Sequence, residues 1–152
     1  MVDKRDAFIV HPVVNTKNIG WALCNGACWN KPQNWNTNAA GPADITEWHL
    51  YTFTFDSSTG DWKIYVDENE VSAMVLDKVP INADSGPVFI GRDSCCAGRF
   101  GNVFIDEVAI FNVVLEQDEI ASMANSGLAP IVAPVEAEGK MTTTWGKVKK
   151  QY

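Results

Sequence analysis

The sequence WHLYTFTFDSSTGDWKIYV occupies residues 48–66 and alternates with a period of two. Successive side chains of a strand point to opposite faces, so Tyr51, Phe53 and Phe55 share one side while Trp48, Leu50 and two threonines share the other. Asp56 to Asp61 interrupts the run with serine, threonine and glycine, the chemistry of a turn. The alternation then resumes with Trp62, Ile64 and Val66 against Lys63 and Tyr65. This pattern predicts a β-hairpin. A second turn at Asp67 to Glu70 leads into Val71 to Leu76 and predicts another.

Working outward, the stretch from Pro80 to Pro87 carries turn residues and little apolar content, so it reads as a connection into the short strand Val88 to Ile90, closed by Gly91. Asn102 to Phe111 reads as the longest apolar strand, with Asp106 on the face of Phe104, Val108 and Ile110 and therefore turned toward the core. The period then changes. Leu115, Ile120 and Met123, with Glu116, Asp118 and Glu119 in the first turn, suit a short helix stopped by Gly127. Upstream, strands are expected at Ala7 to Val14 and Ile19 to Cys24, followed by a long asparagine-rich loop from Asn25 to Thr37. Short strands separated by turn signals predict an all-β, antiparallel β-sandwich with one short C-terminal helix.

With 152 residues the chain is one domain's worth of material, enough to remove about 69% of the extended chain's surface from water. No apolar run approaches the roughly eighteen residues of a membrane span, so no membrane insertion is expected. Residues 1–127 carry seventeen acidic and eight basic side chains, net −9, whereas 128–152 carry two and four, net +2. The field of the body repels phosphate backbones, so nucleic acid is not expected as a partner. Lys4 and Arg5 near the start are not followed by an apolar stretch of the length a signal peptide needs. The expected division is a sandwich domain over 1–127 and a Pro/Ala-rich linker with a basic tail over 128–152. In that tail Trp145, Val148 and three lysines either dock on a surface or remain solvated.

Cys24, Cys28, Cys95 and Cys96 form an even set in two short clusters. They read as disulfides of an exported protein or as reduced thiols in loops, with three pairings open. A zinc site would lack the usual two-residue spacings and would ask adjacent cysteines to reach one ion.

In order along the chain, Glu47 to Leu50, Trp62 to Asp67, Val88 to Gly91, Phe104 to Phe111 and Leu115 to Ile120 resemble a laminin G-like domain, a jelly roll of the concanavalin A-like lectin and glucanase superfamily. The resemblance covers residues 46–127. Two departures stand out. Glu68 replaces the glycine usual in the second hairpin, which leaves Asn69 to take the left-handed conformation. The chain also opens near the middle of the family pattern, as a domain lacking its N-terminal strands would, and such a domain exposes apolar side chains and unpaired sheet edges.

The resemblance implies a non-catalytic, extracellular or cell-surface binding module of a larger protein, recognising carbohydrate or an extracellular protein and accompanied by other domains of a longer chain. In the long loop Trp29 and Trp35 offer flat apolar faces, and Asn30 and Asn34 offer amide donors and acceptors, the pairing a pyranose ring requires. Loop tryptophans folded onto a sheet edge are the structural alternative. No cofactor is certain: a core-facing Asp106 is satisfied by backbone N–H groups or a hydroxyl, or else by calcium, which some relatives bind with such carboxylates; Asp93, Asp67 and Asp56 are further oxygen ligands in turns, without an organising loop motif. The Glu-x-Asp-x-x-Glu strand of related glycosidases is absent; Glu116-Gln117-Asp118 approaches it, but Ala121 stands where the last acid belongs. No catalytic residue is expected. A spacer domain without a ligand of its own, or the remnant of a glycoside hydrolase, are the alternative functions.

Overall fold

The structure is a computed structural model that describes residues 1–12, 17–31, 39–94, 98 and 100–129, with only the backbone of 12 and 27–31. Its described elements are β1 (Val2–Lys4), β2 (Phe8–Pro12), β3 (Ile19–Asn25), β4 (Ala27–Lys31), β5 (Tyr51–Phe55), β6 (Asp61–Val66), β7 (Asn69–Val75), β8 (Phe89–Ile90) and α1 (Gln117–Ser126). They form two antiparallel sheets, one ordered β4-β3-β2-β1-β8 and the other β5-β6-β7.

The layers meet where the alternation demands it. Trp62, Ile64 and Val66 of β6 are buried together with Ile19, Trp21 and Leu23 of β3, and Phe53, Phe55 and Met74 pack around them. Trp21 is also edge-on to Phe53, with ring centroids 5.6 Å apart. Each fully buried side chain of this size contributes about 1.5–3 kcal/mol through removal of apolar area from water.

Tyr65 points out of the opposite face of β6, yet it too is buried, beneath α1. There it joins Leu115, Ile120 and Met123, with Leu50, Phe111 and Leu128 at the margin. The three-stranded sheet therefore has an apolar layer on both sides. At the helix start the Glu119 carboxylate accepts the Glu116 N–H at 2.8 Å, which satisfies a backbone donor that the first turn leaves free. Gly127 ends the helix at φ 75°, its N–H donating to the Met123 carbonyl at 2.8 Å, as its position in the sequence predicts.

Several expectations shift. The strand of the first hairpin begins at Tyr51 rather than Trp48, β4 occupies the front of the expected long loop, and β1 is an additional strand. In the second hairpin Val66 pairs with Asn69, so the two central turn residues are Asp67 and Glu68. The positive φ, 55°, falls on Asp67 and not on Asn69. The largest difference is at Asn102 to Phe111, which forms no strand. Its neighbourhood is tied to the sheet edge by an Arg92–Phe100 bridge and by the Gly101 N–H on the Gly91 carbonyl at 2.7 Å. Beyond these, no described strand pairs with the segment, and Asp106 is exposed rather than turned toward the core.

Candidate functional site

The residues before β5 form a turn with its own internal logic. Asp44 accepts the Thr46 N–H at 2.9 Å and the Thr46 hydroxyl at 2.7 Å through the same oxygen, an Asx turn that aspartate supports because its short carboxylate reaches two residues onward. Those two bonds hold the Asp44 carboxyl below the usual carboxylate range. Beyond the turn Trp48 is 69% exposed. Ile45 and Tyr51 are exposed beside it in the chain.

Between them sits His49, whose side chain is only 17% exposed. Its Nδ1 lies 2.9 Å from Asp67 Oδ2 and its Nε2 lies 2.7 Å from the Asp44 carbonyl oxygen. Asp67 Oδ1 accepts the Leu50 N–H at 3.0 Å, and the Asp67 N–H donates to the Leu50 carbonyl at 2.7 Å. The start of β5 and the β6–β7 turn are thus joined through one aspartate. The Asp67 hydrogen bond raises the His49 pKa above its ordinary value, against an opposing effect of burial. The His49 ring also meets Tyr51 edge to face, with centroids 6.4 Å apart, and burial raises the Tyr51 phenol.

Along residues 44–51 an exposed indole and an exposed phenol ring are interspersed with a carboxylate, a threonine hydroxyl and an imidazole. An apolar plane flanked by directional polar groups is the chemistry of sugar recognition. The alternation places Trp48 on a strand face. The sequence signal for a surface Trp48 is the Asp-x-Thr turn at Asp44, since β5 begins only at Tyr51.

A second polar feature lies at the other sheet. Asp3, in the middle of β1, is 0% exposed, and its Oδ2 accepts the Ser94 N–H at 2.6 Å. Its Oδ1 and the Ser94 hydroxyl are buried without a hydrogen-bond partner among the described residues. Asp93 beside them is also buried.

The residues singled out for sugar contact are only partly described: Trp29 and Asn30 fall on β4, described there as backbone, and Asn34 and Trp35 lie outside the described residues. The carboxylates considered for calcium do not converge. Asp56 caps its own loop through Ser58, Asp67 is committed to His49 and Leu50, and Asp106 is exposed. Among the described residues no group of three His, Cys, Asp or Glu side chains is placed to hold a metal ion. Glu116 and Asp118 stand at the first turn of α1, a helix rather than a catalytic strand.

Residues 6–121 match the family described as the Concanavalin A-like lectin/glucanases superfamily. No curated protein matches the chain. Among solved structures, an S-layer domain-containing protein from Clostridium thermocellum aligns at 13% identity and a TM-score of 0.44, covering 80% of this chain and 65% of that one. The chain thus spans less than two thirds of that chain's length. No described helix is long and apolar enough to cross a membrane.

Proposed function

Because the chain belongs to the Concanavalin A-like lectin/glucanases superfamily as a laminin G-like domain, we propose that it is a non-catalytic, extracellular binding module of a larger protein, recognising neutral carbohydrate. The observation that carries this reading is the Trp48 indole, 69% exposed and next in the chain to the His49 that pairs with Asp67. An indole left in water on a polar surface offers a pyranose a stacking plane, and the adjacent oxygens and nitrogens offer its hydroxyls partners. Residues 1–127 carry net charge −9, so sulfated or uronic chains meet repulsion and uncharged sugars do not.

Export is supported by the cysteines. Cys24 is buried, and the β3–β4 register sets it opposite Cys28, a cross-strand position from which two sulfurs come within bonding reach. Cys24 is not a free thiol. We assign these two as a disulfide pair, which non-reducing peptide mapping tests directly.

A glycan array at pH 6 tests the binding reading. The expected result is retention of neutral glycans by the wild-type chain, lost on Trp48→Ala. Loss on Trp29→Ala or Trp35→Ala, with Trp48→Ala unaffected, would move the site to the asparagine-rich segment. A blank array would overturn carbohydrate recognition.

A protein partner is the second reading. It is favoured by a run of exposed apolar side chains, among them Phe100, Val103, Phe104, Ile110 and Val113, more than a solvated surface ordinarily gathers in one segment.

A further inference from the structure

We propose that His49 is held as an imidazolium that latches the turn at Asp44–Thr46 to the β6–β7 turn, and that loss of one proton unfastens the segment carrying Trp48. The argument is one of donors and acceptors. Nδ1 is 2.9 Å from a carboxylate oxygen of Asp67, and Nε2 is 2.7 Å from the Asp44 carbonyl oxygen. A carbonyl oxygen only accepts, and so does an ionised carboxylate. Neutral imidazole has a single N–H, so either tautomer leaves one ring nitrogen facing an acceptor with two lone pairs opposed. The imidazolium alone donates at both ends.

The geometry also selects which bond breaks. Asp67 is anchored independently, since its other oxygen accepts the Leu50 N–H and its own N–H donates to the Leu50 carbonyl. On deprotonation the remaining proton stays at Nδ1, where it faces a charge, because hydrogen bonds to ionised acceptors are the stronger. The hydrogen bond from Nε2 to the Asp44 carbonyl therefore breaks. The Asx turn then moves as a unit, since Asp44 and Thr46 are bonded to each other, and Trp48 lies between that turn and the imidazole.

The charged and titratable groups facing His49 among the described residues are Asp67 from the β6–β7 turn, Asp44 from its own segment and Tyr51 from β5. Lys17, whose ammonium donates to the Ala43 carbonyl, acts on Asp44 from before β3. Of these groups, imidazole is the one whose ordinary titration falls between about pH 5 and 8. A field of two carboxylates prefers the cation.

As regulation of the Trp48 surface, the latch rests on the binding reading above, and it is tested without any ligand. Long-range ¹H–¹⁵N correlation NMR of the full chain follows both His49 ring nitrogens, the Thr46 amide and the Trp48 indole from pH 5 to 9. The expected result is imidazolium shifts at both nitrogens at pH 6, and a common midpoint above 6.5 for His49, Thr46 and Trp48. Asp67→Asn should weaken proton affinity by about tenfold, and His49→Gln should abolish the titration of Thr46 and Trp48. A neutral His49 at pH 6, or Thr46 and Trp48 signals that ignore its titration, would overturn the latch; the wild-type titration suffices if either variant fails to fold. Failure here leaves sugar binding at fixed pH intact, whereas a blank array leaves the latch intact.

Discussion

The Trp21 and Trp62 indoles stack across the interface of the two sheets, with ring centroids 5.4 Å apart and planes 18° from parallel. One comes from β3 and the other from β6, about forty residues on, so this pair ties the halves of the sandwich together. Trp62 is fully buried, and its Nε1–H has no partner among the described residues. Trp62→Ala should cost roughly 3–5 kcal/mol by leaving a cavity. Trp62→Phe should cost markedly less, since it keeps an aromatic plane against Trp21 and removes the unpartnered N–H. Urea unfolding followed by far-UV circular dichroism orders the two, and equal losses would refute the role given to the stack.

Asp67 combines an ion pair with a left-handed backbone. At φ 55° asparagine is tolerated where alanine is strained, so Asp67→Asn isolates the loss of charge. The His49 proton is bound more tightly in the folded chain than in the unfolded one. The stability it contributes is therefore whole below about pH 6.5 and lost as pH rises through the raised folded value. Asp67→Asn should cost about 1 kcal/mol at pH 5.5, with the difference from wild type shrinking by pH 8.5. Chemical denaturation at both pH values checks the sign, and a gap that widens with pH would contradict it.

Asp3 carries a buried carboxylate oxygen with nothing to receive among the described residues. Asp3→Asn keeps an oxygen for the Ser94 N–H and exchanges the orphaned carboxylate oxygen for a neutral amide, which costs less to bury without a partner than a carboxylate does. In calcium-free buffer the variant should be more stable by roughly 1 kcal/mol, read as a higher thermal midpoint. A lower midpoint would show that the fold depends on the charge.

Gly60 sits at φ 85°, and a Cβ built there would collide with the Leu76 carbonyl oxygen, the chain that its own carbonyl holds through the Leu76 N–H at 2.9 Å. Backbone cannot yield as a side chain can. Gly60→Ala should therefore destabilise by more than about 1 kcal/mol, whereas Gly26→Ala meets no atom within 4 Å and carries only the penalty of its φ of 93°. Paired thermal melts compare them.

Phe104 is 91% exposed and Ile110 is exposed near it in the chain. Phe104→Ser with Ile110→Ser should reduce dye binding to apolar surface and slow aggregation without lowering the unfolding midpoint. A large loss of stability would mean that these side chains are buried in solution.

Much of the architecture was legible because local chemistry and burial agree. The period of two at Tyr51–Phe55 and Trp62–Val66, the turn residues between them and the acidic first turn before Ile120 each specify an element that the structure contains. Asn102 to Phe111 shows the limit. It is as apolar as a buried strand should be, but a strand requires backbone partners as well as apolar side chains, and no described strand supplies them. The candidate site was less legible than the fold. Trp29 and Trp35 stand out by composition, whereas Trp48 lies in the stretch between the Asp44–Thr46 turn and the start of β5 at Tyr51, where it is exposed.

From its residues alone the chain determined its class, a twofold alternation with punctuating turns that can bury apolar faces only by pressing one sheet on another, and the acidic field around it. Tertiary structure decided which distant groups meet: Trp21 with Trp62, Asp3 with Ser94, and His49 between Asp67 and the Asp44 carbonyl. The reason is physical. Side-chain period and turn propensity act over a few neighbouring residues, whereas the protonation and reach of a group such as His49 depend on acceptors delivered by separate segments of chain.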